Sequence, residues 1–172
     1  MRLLIVLGII LMWFAGSAPA QPCSRILDVQ CPIAQYPGTV CLLILVTNCN
    51  TQLAAFGFEM TFPGESLEFT GVETAGTLTE GWIETNGAPV LGMPDRVRLG
   101  GYDVDGFVGG TPDVLIKACF DVVAPIPAFS PVSIDNATLV DDVTGYTTFG
   151  CVLQGTVPTE GRTWGAIKEQ YR

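Results

Sequence analysis

The stretch Ala54–Glu73, AAFGFEMTFPGESLEFTGVE, decides the fold class. Phe56, Phe58, Met60 and Phe62 alternate with Gly57, Glu59 and Thr61. A period of two turns the four large apolar side chains to one face, which predicts a half-buried strand. Pro63-Gly64 ends it, because proline cannot donate to a ladder and glycine accepts a positive φ. A second alternating run follows, marked by Leu67, Phe69 and Val72.

The same pattern extends outward in both directions. Ile26–Val29 is a short apolar segment, and Tyr36-Pro37-Gly38 is a turn signal. In Thr39–Thr47 (TVCLLILVT), Val40, Leu42, Ile44 and Val46 form one face and Cys41, Leu43 and Leu45 the other. Apolar character on both faces predicts a central strand. Further strands are predicted at Trp82–Thr85 and Val97–Val104, with a turn at Asn86-Gly87-Ala88-Pro89 between them and a bulge at Gly100-Gly101. Asp105–Gly110 reads as loop. Asp113–Val123 follows, with Val114, Ile116, Ala118, Phe120 and Val122 inward. Pro131–Val140 and Thr147–Val157 close the series around a polar loop at Asp141–Gly145. Nine short strands and no internal helix predict an all-β, antiparallel β-sandwich.

The ends read differently. Arg2, the apolar run Leu3–Ala15 and the small-x-small site Ala18-Pro19-Ala20 have the form of a signal peptide over 1–20. The sandwich domain then occupies 21–160 and a tail 161–172. In that tail, Trp164, Ile167 and Tyr171 recur at helical spacing behind Thr163, which predicts a short C-terminal helical segment packed on the sandwich. The expected destination is outside the cell, as a secreted or cell-surface protein. Loss of Arg2 with the leader takes the formal charge from −9 to −10. Such a chain lacks the basic footprint that nucleic acid requires, and it is repelled by anionic membrane, so neither is an expected partner of the mature protein.

Six cysteines, Cys23, Cys31, Cys41, Cys49, Cys119 and Cys151, are an even set behind a leader and read as disulfides. Sequence alone does not choose among the connectivities. Strand phase turns Cys41 and Cys119 both away from the core, which makes them a candidate cross-strand pair. A zinc site is the rival reading, but there is no CxxC and the chain has no histidine. Asp103-Val104-Asp105-Gly106 offers too few oxygens for calcium, which takes six to eight, and reads as a solvated turn. No metal or cofactor is expected.

Catalytic readings are poor. Without histidine, Ser66, Ser130 and Ser133 have no imidazole to activate them. Glu59 and Glu84 are a carboxylate pair of the kind that cuts glycosidic bonds, but acids are numerous enough for chance pairs. Asn136-Ala137-Thr138 is a glycosylation sequon. Trp82, Tyr102 and Tyr146 are the aromatic residues that would form a sugar-stacking platform.

From about Val29 to Val157 the chain resembles a cohesin-like domain, a nine-stranded jelly roll of the cohesin and carbohydrate-binding-module superfamily found in secreted bacterial proteins. The residues that carry the resemblance are Phe58-Glu59-Met60-Thr61-Phe62 through Pro63-Gly64 to Leu67-Glu68-Phe69 and Val72. Gly110-Thr111-Pro112-Asp113-Val114-Leu115-Ile116-Lys117 and Val132-Ser133-Ile134-Asp135-Asn136-Ala137-Thr138-Leu139 add to it. The resemblance implies a non-catalytic module that binds a dockerin-like protein on the sheet carrying the third strand. Carbohydrate binding is the alternative on the same fold. The implied partner face is Ala55, Gly57, Glu59 and Thr61 with Arg96, Arg98 and Tyr102. Where dockerin-binding cohesins often carry Asn and Asp on this strand, the chain has Ala55 and Gly57.

Overall fold

The computed structural model describes residues 25–47, 52–108, 112–140 and 146–156. The expected leader 1–20, Cys23, Cys49, the expected loop 141–145 and the expected tail 161–172 lie outside the described residues, and with them the expected helical segment.

Ten strands occur in the described residues: β1 (Ile26–Gln30), β2 (Gly38–Thr47), β3 (Gln52–Thr61), β4 (Leu67–Glu73), β5 (Glu84–Val90), β6 (Met93–Val108), β7 (Asp113–Val122), β8 (Ser130–Val140), β9 (Thr147–Thr148) and β10 (Cys151–Leu153). They form two five-stranded sheets, ordered β4-β7-β2-β1-β9 and β10-β8-β3-β6-β5. Every pairing is antiparallel except β1 with β9. Among the described residues no helix is long and apolar enough to cross a membrane.

The core lies between the sheets, where the alternation puts it. The first sheet contributes Val40, Leu42, Ile44 and Val46 from β2 with Ile116, Ala118, Phe120 and Val122 from β7, all buried. The second contributes Phe56, Phe58 and Met60, with Phe62 just beyond β3. Phe120 packs its ring against Phe62 at 4.7 Å and edge-on to Phe69 at 5.5 Å, so the two sheets interlock through aromatic contacts. The other face of β2 is half-buried, as befits the central strand of its sheet.

Several expectations are corrected. Asn86-Gly87-Ala88-Pro89 is not a turn but the body of β5, and the reversal falls at Leu91-Gly92, where Gly92 has φ +78°. Gly87 faces inward: a Cβ there would lie 2.6 Å from Leu99 Cδ2 and 2.7 Å from Phe69 Cζ, so glycine serves packing. Pro89 is tolerated because β5 is an edge strand. Trp82 and Ile83 precede that strand rather than begin it.

Gly100-Gly101 is regularly paired on both sides, and the bulge of β6 falls instead at 103–106, where Leu53 pairs with Phe107 and Ala55 with Tyr102. The strand then continues through Asp105–Val108, read from sequence as loop. In β7 the register shifts opposite Ile44 and Leu45, so Leu115 is fully buried and Val114 only partly. The last predicted strand is split. Thr147–Thr148 joins the first sheet and Cys151–Leu153 the second. The chain crosses at Gly150, which lies so close to the Val132 carbonyl that a Cβ would collide with it.

Two disulfides join described residues. Cys41 and Cys119 are opposite one another in β2 and β7, as their strand phase suggested. Cys31–Cys151 ties the chain just after β1 to β10 of the other sheet. No cysteine among the described residues is free. Cys41, Cys119 and Glu73 are close enough to suggest a metal cluster, but the two sulfurs are spent on each other.

Candidate functional site

The outward face of β3 and β6 is built by one register. Ala55 lies opposite Tyr102, Gly57 opposite Gly100, Glu59 opposite Arg98 and Thr61 opposite Arg96. The alternation that buries Phe56, Phe58 and Met60 therefore presents their neighbours outward together. β5 adds Glu84, Asn86 and Ala88 opposite Tyr102, Gly100 and Arg98. On the other side, β8 adds Asp135 and Ser133 opposite Glu59 and Thr61.

An ionic cluster occupies one half of this face. Arg98 Nη2 donates to Glu59 Oε1 at 2.6 Å and Arg98 Nε to the same oxygen at 3.3 Å. Arg96 Nη1 donates to Glu59 Oε2 at 3.3 Å. The side chain of Glu59 is 14% exposed, while that of Arg98 is 69% exposed. The Arg98 hydrogen bonds hold the Glu59 carboxyl below the ordinary carboxylate range, aided by Arg96 and Asn136 and opposed by burial. Thr61 Oγ1 donates to Asp135 Oδ2 at 2.9 Å.

The other half is flatter. Gly57 and Gly100 leave the middle of the sheet without side chains, and a depression of about 340 Å³ opens there between Arg98, Asn86 and Asn136. Tyr102 stands beyond it, 47% exposed. Asn86 Nδ2 donates to Glu84 Oε1 at 2.6 Å.

The residues proposed for the partner face thus lie side by side. Of those proposed for a sugar platform, Tyr102 is exposed, whereas Trp82 and Tyr146 are partly buried. Trp82 packs on the core, with ring centroids 5.7 Å from Phe56 and 6.4 Å from Phe107. Tyr146 also packs on the core, and burial raises its hydroxyl pKa against the opposing charge of Arg25. A row of exposed rings would need all three outward.

The Asp103–Gly106 turn closes on itself, with Asp103 Oδ2 accepting from the Gly106 N–H at 3.2 Å. Of the carboxylate pair, Glu59 is engaged by both arginines and Glu84 by Asn86. Ser66 and Ser130 are buried and donate to the carbonyls of Pro125 and Pro127. Asn86, Ala88 and Asn136 were not read as parts of this face. The first two were hidden by the turn-like composition around them. Asn136 was hidden by a bulge in β8, between the partners of Gly57 and Glu59, that no local pattern announces.

No protein-family model matches the chain, and no curated protein matches it. Solved structures do. The non-cellulosomal cohesin from the hyperthermophilic archaeon Archaeoglobus fulgidus aligns with a TM-score of 0.62 at 15% identity, covering 81% of this chain and 96% of that one. The sixth cohesin of Acetivibrio cellulolyticus scaffoldin B, solved with a Cel5 dockerin mutant, gives 0.58 at 16% identity over 76% and 99%. The Coh-OlpA–Doc918 cohesin–dockerin complex from Clostridium thermocellum gives 0.60 at 9% identity over 77% and 99%. The class is an all-β jelly-roll sandwich. Its fold is cohesin-like, and at these identities the likeness is one of fold.

Proposed function

We propose that the chain is a non-catalytic, secreted module that attaches a dockerin-like protein outside the cell through the outward face of β8, β3, β6 and β5. The observation that carries this reading is the single register that gathers Ala55, Gly57, Glu59, Thr61, Arg96, Arg98 and Tyr102. Small residues set beside an exposed tyrosine and arginine suit a protein partner, because Tyr and Arg are enriched at interface hot spots. Several proteins of this fold were solved in complex with dockerins. The leader-like start and the disulfides favour an oxidising compartment. The unit proposed to act is the 21–160 domain.

The test is a pull-down from the host secretome beside a polysaccharide-retention assay, each with Tyr102→Ala and Arg98→Glu variants. Capture of a protein that is lost with either variant supports the reading. Retention on a glycan, unchanged by both variants, overturns it. The non-catalytic part is tested by a screen on polysaccharides and esters. Sustained hydrolysis abolished by replacing one carboxylate would refute it.

A further inference from the structure

The outward face of the other sheet carries a cluster that the docking face does not use. Cys41 of β2 lies directly opposite Cys119 of β7, and Glu73 of β4 lies opposite Lys117, the next residue on the same face of β7. The Glu73 carboxylate divides its oxygens between two kinds of neighbour. Lys117 Nζ donates to Oε1 at 3.5 Å and is itself anchored on the Ala75 carbonyl at 2.8 Å. Oε2 stands 4.0 Å from Cys41 Sγ and 3.9 Å from Cys119 Sγ. With the disulfide intact neither sulfur has a proton to donate, so this oxygen faces both sulfurs without a hydrogen bond from either.

Backbone pairing, rather than the S–S bond, sets the spacing of these three donors. Cys41 and Cys119 sit in the middle of a ladder that runs from Gly38–Val122 to Val46–Asp113, and β4 is paired to the other edge of β7 from Leu67 to Glu73. A tetrahedral ion with bonds of about 2.0–2.3 Å holds its sulfur and oxygen donors roughly 3.5 Å apart. Oε2 is already close to that distance from both sulfurs, and once freed the sulfurs part to a similar spacing by side-chain rotation. Two thiolates and one carboxylate outweigh the single charge of Lys117, and a divalent cation balances the set. Thiolate ligands select an ion of the zinc class over calcium or magnesium. Gly71, opposite Cys119 in β4, brings no side chain to the site, and a Cβ there would meet nothing within 4 Å. That side is open to a water as fourth ligand and to an approaching reductant.

We propose that the Cys41–Cys119 bond is a redox gate on a metal site: when it is reduced, the two thiolates and Glu73 Oε2 bind one divalent cation of the zinc class. Water is the fourth ligand, and Lys117 orients the carboxylate from behind, as outer-shell partners of metal ligands do. The reductant is an external dithiol. It gives two electrons and two protons to the bond and leaves as its own disulfide, and the cation then displaces both protons from Cys41 and Cys119. The oxidised chain has no thiolate to offer. The cluster lies on the sheet opposite the docking face, and its chemistry is independent of what that face binds.

The experiment divides the full chain into an oxidised sample and one reduced with a phosphine under anaerobic conditions, and titrates each with Cd²⁺ as a spectroscopic stand-in for zinc. Thiolate-to-metal charge-transfer absorption reports binding, near-UV circular dichroism reports the fold, and the urea midpoint reports stabilisation of the folded state by the metal. The expected result is one cadmium per reduced chain with a raised urea midpoint, and no charge-transfer band in the oxidised sample. Cys41→Ser and Cys119→Ser should each abolish the band, although the cysteines outside this pair remain. Glu73→Gln, which leaves both sulfurs in place, should weaken binding about tenfold or more. A reduced chain without the band, binding by the oxidised chain, a band that survives either serine variant, or an affinity unchanged in Glu73→Gln overturns the proposal. Loss of the near-UV signal on reduction also overturns it, because the ladders must hold the sulfurs together without the bond.

Discussion

Glu59 and Arg98 face each other across β3 and β6, and Arg98 donates from both Nη2 and Nε to the single oxygen Oε1, leaving Oε2 for Arg96. One carboxylate therefore fixes two guanidinium groups on an otherwise open face. The charged cluster is a strand-to-strand device, set by register alone.

The pH response of this cluster has a fixed sign. The folded-state pKa of Glu59 is lowered, first by Arg98. Such a group adds stability above its unfolded pKa and loses it as pH falls through the folded one. Urea midpoints of wild type and Glu59→Gln should therefore differ most near neutrality and converge only at pH values beneath the ordinary carboxylate range, where the folded-state carboxyl takes up its proton. The gap should also narrow in high salt, because Arg98 is largely exposed. A gap that stays constant from neutral to acid pH would show that the ion pairs do not stabilise the fold.

The disulfides should be measurable as thiols and as stability. With Cys31–Cys151 and Cys41–Cys119 formed, no more than two of the six cysteines should titrate in denaturant without reductant. Cys31 and Cys151 are 120 residues apart, so cutting their link with a double alanine variant should cost about 2–5 kcal/mol. Six reactive thiols, or an unchanged urea midpoint in the double variant, would contradict this.

The sandwich and the third strand were legible because burial repeats at period two. Phe56, Phe58, Met60 and Phe62 needed no information beyond their spacing, and the outward residues between them came with them. What the sequence hid depends on partners far along the chain. Gly87 looks like a turn residue until Leu99 and Phe69 are seen to fill the space of its missing side chain. Leu115 is buried and Val114 only partly because β7 shifts register against β2, a slip that alternation within β7 cannot reveal. The ninth segment looks continuous, yet Gly150 carries it from one sheet to the other past the Val132 carbonyl.

The true reversal between β5 and β6 gives a third prediction. Gly92 has φ +78°, and no atom lies near where its Cβ would be, so the penalty for alanine is conformational alone. Gly92→Ala should cost about 1–2 kcal/mol. Pro89→Ala on the exposed edge should stay within about 0.5 kcal/mol. The two variants, compared by urea denaturation, separate the residue that turns the chain from the one that only looks as if it should.

The core junction gives a fourth. Phe120 is fully buried, with Phe62 and Phe69 against its ring. Phe120→Ala should lower stability by about 3–5 kcal/mol, through lost transfer energy and an uncollapsed cavity between sheets. Phe129→Ala is the control, since Phe129 is 74% exposed and should change the midpoint little. Equal effects would mean that the sheets do not meet where described.

Asn136 joins backbone and electrostatics in the last prediction. It sits at φ +49° in the bulge of β8, exposed, and its side chain helps the arginines hold the Glu59 carboxyl below its ordinary range. Asparagine tolerates the left-handed region better than most residues, and glycine better still. Asn136→Gly should keep the backbone and lose only the side-chain amide, so stability should move by about 0.5 kcal/mol or less. Asn136→Ala loses the amide and strains the bulge, costing about 1–2 kcal/mol. Both variants should raise the Glu59 pKa, since each removes the amide that helps lower it; an NMR titration of the Glu59 carboxyl reads this directly. If alanine and glycine prove equally stable, the positive φ carries no cost here. If the Glu59 titration is unmoved in both, the arginines alone set its charge, and Asn136 serves the bulge rather than the face.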